Sequence, residues 1–205
     1  MYRNRSITRY LDDLAAKLPA PGGGSAAALT AALGASLISM VVNFTIGRPK
    51  YAQYENELKS VLGKSEAARR EFLKLVDLDV IAYKSKDLKA SLAVPLQVCR
   101  LCAETAKVCL PLIKKGNANL ASDVSVAAIL LESAFFSALC NVDINLKYME
   151  SPEARQSYFA LIKERRGMND KKLTVQLRKE LERKGKIIKS IRLKTEAGVG
   201  KLIRG

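Results

Sequence analysis

Asp79 is the first residue in this sequence that asks for a chemical explanation. Between about Ala52 and Lys86, the apolar residues Leu58, Leu62, Ala68, Phe72, Leu75, Val76, Ala82 and Tyr83 recur at helical spacing and mark one stripe. Asp79 follows Leu75 by four positions and Val76 by three, so its carboxylate falls on that stripe, while Asp77 is rotated toward solvent. A carboxyl group drawn out of water without a paired charge has a raised pKa and can act as general acid or base near neutral pH. A buried salt bridge or a cap on a neighbouring helix would leave the same pattern, and the residues alone do not separate these readings.

A second group of candidates lies in turns. Gly22, Gly23 and Gly24 follow Pro21 and run through Ser25 into a long stretch of small residues. A glycine run before a helix leaves backbone N–H groups free and lets a ligand approach the main chain, which suits a carboxylate, a phosphate or a ring carbonyl. Such runs are more often plain turns. The run is not a Walker loop, since no Gly-Lys-Ser/Thr follows. Ser122-Asp123 after the Gly116-Asn117 turn reads first as a helix start, a capping hydroxyl with an acid at the positive end of the dipole. Asn43, Asn141 and Asn145 stand on apolar helices, where packing-level hydrogen bonds are the usual explanation.

The composition narrows the chemistry further. The 205 residues include no His and no Trp. Ser-His-Asp and Cys-His catalysis within one chain are excluded, as are zinc sites that depend on His, and no metal-ligand set is expected. Cys99, Cys102, Cys109 and Cys140 lie in apolar helical stretches and read as reduced, buried thiols. The formal net charge is +15, and the stretch from Lys163 to Gly205 supplies fifteen Lys or Arg against five Asp or Glu, which is +10 of it. No aromatic residue interleaves with those charges after Phe159, so a base-stacking platform is missing and nucleic acid is not an expected partner.

The elements that must hold these residues are helices. Apolar residues make up 48% of the chain with only 6 Pro and 12 Gly, and no stretch alternates as a strand does. The sequence predicts an all-α, single-domain bundle of about six or seven helices. A first helix covers Arg3 to Leu18, with Ile7, Tyr10, Leu11, Leu14 and Leu18 on one face. A second runs from about Ala26, capped by Ser25, to Ile46 and is ended by Gly47 before Pro49. Its charge-free length approaches a membrane span, but Ala, Gly, Ser and Thr dominate it, so it reads as a buried core helix. A third helix carries Asp79. A fourth spans Leu92 to Ile113, started by Pro95 and bent by Pro111, and an almost wholly apolar one spans Val124 to Tyr148. Charged helices follow at about Glu153 to Arg165 and Lys171 to Leu193. This divides the chain into residues 1–150 and a basic segment, 151–205, packed on or extending the same domain. Met1 to Ser6 has no hydrophobic signal core behind it, which predicts a cytoplasmic protein.

Several pieces occur in an order that resembles a known family. Pro21 to Gly47 (PGGGSAAALTAALGASLISMVVNFTIG), Leu75 to Asp79 with Ala82-Tyr83, Val94-Pro95-Leu96, Gly116-Asn117 with Ser122-Asp123, and Asn141 to Leu146 follow one another as in the carboxy-terminal family of formiminotransferase-cyclodeaminase. That family includes stand-alone methenyltetrahydrofolate cyclohydrolases. The resemblance covers about Ile7 to Met149, with Tyr83 where Phe is usual and a stretch between Asp79 and Val94 shorter than the family's. It implies an all-helical homodimer that acts on tetrahydrofolate derivatives, with no metal and no cofactor beyond the folate substrate. It also implies that Gly22, Gly23, Gly24 and Ser25 form part of the folate pocket, that Asp79 is the catalytic acid residue, and that Asn117, Ser122 and Asp123 form the pocket's other polar wall. Hydrolysis of 5,10-methenyltetrahydrofolate to 10-formyltetrahydrofolate is the leading expectation, with cyclodeaminase chemistry or non-catalytic folate binding as alternatives. The basic segment could draw in a polyglutamylated folate by its charge.

Overall fold

A computed structural model describes residues 1–148 and 170–204 as helices joined by short turns. A 3-10 turn at Tyr2–Asn4 leads to α1 (Ile7–Ala15), capped by Ser6, whose hydroxyl accepts from the Arg9 N–H at 3.1 Å. Of the apolar face expected here only Tyr10 is buried; Ile7, Leu11 and Leu18 are exposed. The helix is nine residues long and lies over the edge of the bundle, so it turns little of its surface inward.

The chain then enters α2 (Gly23–Asn43), capped by Gly22 rather than Ser25. By length and composition α2 could cross a membrane, yet it is the central helix of the bundle, packed between α3 and α6. Its small residues permit this: a Cβ on Gly34 would stand 3.0 Å from Leu131 Cγ and 3.1 Å from the Ala127 carbonyl. α2 stops at Asn43, four residues before Gly47, and Thr45 folds its hydroxyl back onto the Val41 carbonyl at 2.6 Å. A second 3-10 turn, Pro49–Tyr54, feeds α3 (Glu55–Ser85).

α3 ends at Lys86 in the left-handed conformation (φ 55°), and Asp87 at once caps α4 (Leu88–Ala106) by accepting from the N–H groups of Lys89 and Ala90. Pro95 lies inside α4, eight residues into it, and does not start it. A proline there leaves the carbonyl four residues earlier, that of Ser91, without its helical donor. Asn145 fills the gap by donating its side-chain amide to that oxygen. The break before α5 (Cys109–Lys115) falls at Lys107–Val108, ahead of Pro111 in the first turn of α5.

α6 (Ala121–Tyr148), entered through a 3-10 turn at Ala118–Leu120, runs antiparallel to α2, with Asn141 beside Gly23, Leu131 beside Gly34 and, ahead of the helix, Gly116 beside Val41. Its outer surface leaves Cys140 exposed, against expectation, whereas Cys99, Cys102 and Cys109 are buried and burial pushes their thiols up, Cys99 and Cys109 to about 12. α7 (Asp170–Arg204) packs on α6, α4 and α5 and is pinned by Arg192 to Glu132 (2.6 Å) and by Arg100 to Glu180 (3.1 Å). It extends the expected helix beyond Leu193, while the helix expected at Glu153 to Arg165 lies outside the described residues.

Candidate active site

Four helix ends meet at one end of the bundle: the start of α2, the last turns of α3, the start of α4 and the last turns of α6. Asp79, near the end of α3, is half-buried and lies against the first turn of α2. The approach is so close that a Cβ on Gly24 would stand 2.8 Å from the Asp79 Cγ and 3.1 Å from Oδ2, with Oδ1 nearer still. Gly24 therefore makes room for the carboxylate. Burial raises the Asp79 pKa, and the facing Ser25 backbone N–H lowers it by a smaller amount.

Behind this contact lies a buried polar chain. The Tyr10 hydroxyl donates to Ser25 Oγ at 3.2 Å, and Ser25 Oγ donates to the Val76 carbonyl at 3.1 Å. Ser25 is thus committed to α1 and α3 and does not cap its own helix. Gly23 is exposed, with the Asn141 amide 3.8 Å from where its Cβ would be, and Tyr83 follows Asp79 by one turn, also exposed. Asn145 ties the end of α6 to the start of α4 through Ser91.

Asp77 departs from the sequence expectation. It is buried, its carboxylate accepts the Tyr2 backbone N–H, and its second oxygen is 3.6 Å from Arg3 Nε without a hydrogen bond among the described residues. Residues 1–4 fold back over α3 and cover a face that helical periodicity alone assigns to water. They also roof a cleft of about 330 Å³ lined by Arg5, Arg9, Asp13, Asp77 and Lys84.

Gly22, Gly23, Gly24, Ser25 and Asp79 are thus brought together. Asn117, Ser122 and Asp123 are not brought to them within one chain. The Asn117 backbone N–H donates to Thr45 Oγ1 at 2.9 Å, at the far end of α2. Asn117 also caps the 3-10 turn leading into α6, accepting from the Asn119 N–H, while Ser122 is exposed and Asp123 half-buried in the first turn of α6. From Asp123 to Asn141 is eighteen residues, five turns of one helix face, or roughly 27 Å. Sequence reasoning missed Tyr10 as part of the site and left Asn145 unassigned. A tyrosine on an amphipathic face carries no sign of its partner, whereas Pro95 placed inside a helix would have advertised a carbonyl in need of one.

Comparison with known proteins bears on this arrangement. The family model described as Formiminotransferase-cyclodeaminase matches residues 6–86 and 85–164. The two pieces meet at the tight α3–α4 turn. Methenyltetrahydrofolate cyclohydrolase of Methylorubrum extorquens is 38% identical over a match spanning 73% of this chain and 83% of that protein. Formimidoyltransferase-cyclodeaminase of Rattus norvegicus is 32% identical over 70% of this chain, which spans 31% of that longer protein. The crystal structure of formiminotetrahydrofolate cyclodeaminase from Thermotoga maritima superposes with a TM-score of 0.83 at 25% identity, covering 99% of this chain and 100% of that one.

Proposed function

Since the chain belongs to the formiminotransferase-cyclodeaminase family, we propose that it hydrolyses 5,10-methenyltetrahydrofolate to 10-formyltetrahydrofolate, with Asp79 as general base. The observation that carries the reading is the Asp79 carboxylate, half-buried and packed on Gly24 at the amino-terminal turn of α2, with no cation paired to it among the described residues. A carboxylate held in this way has a pKa above its ordinary value and takes up a proton more readily.

Water attacks the cationic methenyl carbon while Asp79 takes one of its protons. The C–N5 bond of the adduct then breaks, Asp79 returns the proton to N5, and the adduct's hydroxyl proton leaves to solvent as the formyl carbonyl forms. One proton is released overall and Asp79 ends as it began. The N–H group at Gly23 is free of a helical partner and open to solvent, and suits a carbonyl or carboxylate oxygen of the folate. Protein groups, water and the folate suffice for this sequence. Lys84, Lys86 and Lys89 stand around the α3–α4 turn and suit the negative tail of a polyglutamylated folate.

We further propose a homodimer. The outer stripe of α2 (Ala26, Thr30, Leu33, Leu37, Met40, Phe44) has no charge, and Leu33 and Phe44 are half exposed, as are Val126 and Ile129 on neighbouring α6. Leu33 lies midway along the face. An antiparallel two-fold pairing there would bring Asn117, Ser122 and Asp123 of a second copy toward Gly23 and Asp79. In that pairing those residues would form the pocket's other wall.

Absorbance of the methenyl chromophore tests the reading: the wild-type chain should abolish it, and Asp79→Asn, which keeps shape but cannot accept a proton, should slow the loss by about 10²- to 10⁴-fold. Ammonia release from formiminotetrahydrofolate with no change in the methenyl substrate would establish cyclodeaminase chemistry in its place.

A further inference from the structure

We propose that Tyr10 is a positioning residue for the Asp79 carboxylate, acting through Ser25; the inference rests on the role of Asp79 given above. Ser25 is fully buried and engages both neighbouring helices: its side chain receives the Tyr10 hydroxyl and donates to the Val76 carbonyl, while its backbone N–H faces Asp79. Val76 and Asp79 are three residues apart on α3, so the serine that bonds the first turn of α2 to one end of a helical turn also faces the carboxylate at its other end. Nothing in that turn of α2 does this by charge, because α2 has no titratable side chain.

Tyr10 sets where Ser25 can go. A serine hydroxyl in a helix readily turns back to the carbonyl four residues earlier, as Thr30 and Ser36 do on the same helix. Ser25 is too near the start of α2 for a well-formed bond of that kind, and the Tyr10 hydroxyl holds it in the α3-facing rotamer. Tyr10 is itself held: 4% exposed, it meets the Tyr2 ring edge-on with centroids 5.2 Å apart, and the Tyr2 backbone N–H is bound by Asp77. The anchor thus returns to α3 two residues before Asp79.

The chain is not a proton relay. Ser25 Oγ gives its hydrogen to a backbone carbonyl, which has nowhere to pass a proton, and burial keeps the Tyr10 phenol protonated by raising its pKa. The groups from packed elements that bear on Asp79 are neutral, the Tyr10 phenol from α1 and the Ser25 amide from α2, and the Asn141 amide of α6 stands beside neighbouring Gly23.

Tyr10→Phe removes one hydroxyl and keeps the ring. Two measurements on it decide the matter. In the folate assay kcat should fall about five-fold, the worth of one ordinary hydrogen bond, with KM changed less than about two-fold. In the protein without substrate, a ¹³C carboxylate titration should show the Asp79 pKa moving further up, because a loosened Ser25 N–H no longer favours the charged form. Ser25→Ala should do the same, and the double variant should be no worse than the more impaired single one. Unchanged titration and unchanged kcat in Tyr10→Phe, even with a lowered melting temperature, would overturn the proposal and leave Tyr10 a packing residue. The titration is independent of turnover: a wild-type chain inert toward methenyltetrahydrofolate would remove the folate reading, while the Asp79 shift would still stand or fall by itself.

Discussion

Replacing Gly24 with alanine is the sharpest perturbation of this site. A methyl group there would meet the Asp79 Cγ at 2.8 Å, and ordinary contact begins at 3.4 Å, so Cγ must retreat by 0.6 Å. The nearer oxygen must move further, about 1 Å. The helix backbone gains from the change, since alanine is favoured over glycine by ~1 kcal/mol. Rotation of a half-buried side chain off its preferred angle costs ~0.5–1.5 kcal/mol, so the two effects nearly cancel and the melting temperature should move by no more than about 4 °C. Catalysis has no such compensation. A 1 Å misplacement of a reacting group costs about 10²-fold, and kcat/KM for loss of the methenyl chromophore should fall by roughly that factor. Gly63→Ala, on the exposed side of α3 and outside the site, is the control, because nothing lies within 4 Å of its Cβ position. The reasoning fails if Gly24→Ala stays within about three-fold of wild type, or if Gly63→Ala is equally damaging.

Leu33→Glu places a charge at the middle of the proposed dimer face. Sedimentation should show dissociation to monomers, with activity lost in parallel; an active monomer would mean that no second copy completes the site. The pH dependence carries a sign that can be worked out in advance. Asp79 must be ionised to act as base, and burial raises its pKa in the free protein, so kcat/KM should fall on the acid side at a higher pH than for an ordinary aspartate. The bound substrate is a cation and favours the carboxylate, so the acid limb of kcat should lie lower than that of kcat/KM. Coincident limbs would show that the charge on the substrate does not reach Asp79.

The fold was largely legible because helical periodicity reports which side of a helix is buried, and most of this chain is helix packed on helix. The central position of α2 follows from its run of Ala, Gly and Ser, which exclude a large side chain from the contact with α6. What periodicity could not report is burial supplied by a segment that is not itself periodic. Asp77 is the clear case: it sits off the apolar stripe and is covered by residues 1–4, a short turn whose position depends on a hydrogen bond to Asp77 itself. The opposite error occurred at Ile7 and Leu11, where the period is right but no helix among the described residues covers them. Pro95 and Ser122 show the limit of end signals. Asp87 caps α4 well before Pro95, and the carbonyl that Pro95 leaves open is met by Asn145, fifty-four residues away from Ser91.

The site was legible in part for a related reason. Asp79 could be singled out because a carboxylate on an apolar stripe is costly unless something compensates it. Its partner could not be named, because a glycine leaves no chemical trace of what it accommodates. The sequence suggested that the glycine run offers its backbone to a ligand. In the structure the three glycines divide that work. Gly22 caps the helix, Gly23 stays open to solvent beside Asn141, and Gly24 is occupied by the chain's own carboxylate. A ligand bound at Gly23 would therefore lie next to Asp79 by construction, since adjacent residues of one helical turn hold them both. That proximity requires no charged residue on α2, which is why a chain without histidine can keep its base in neutral surroundings and still raise its pKa by burial alone.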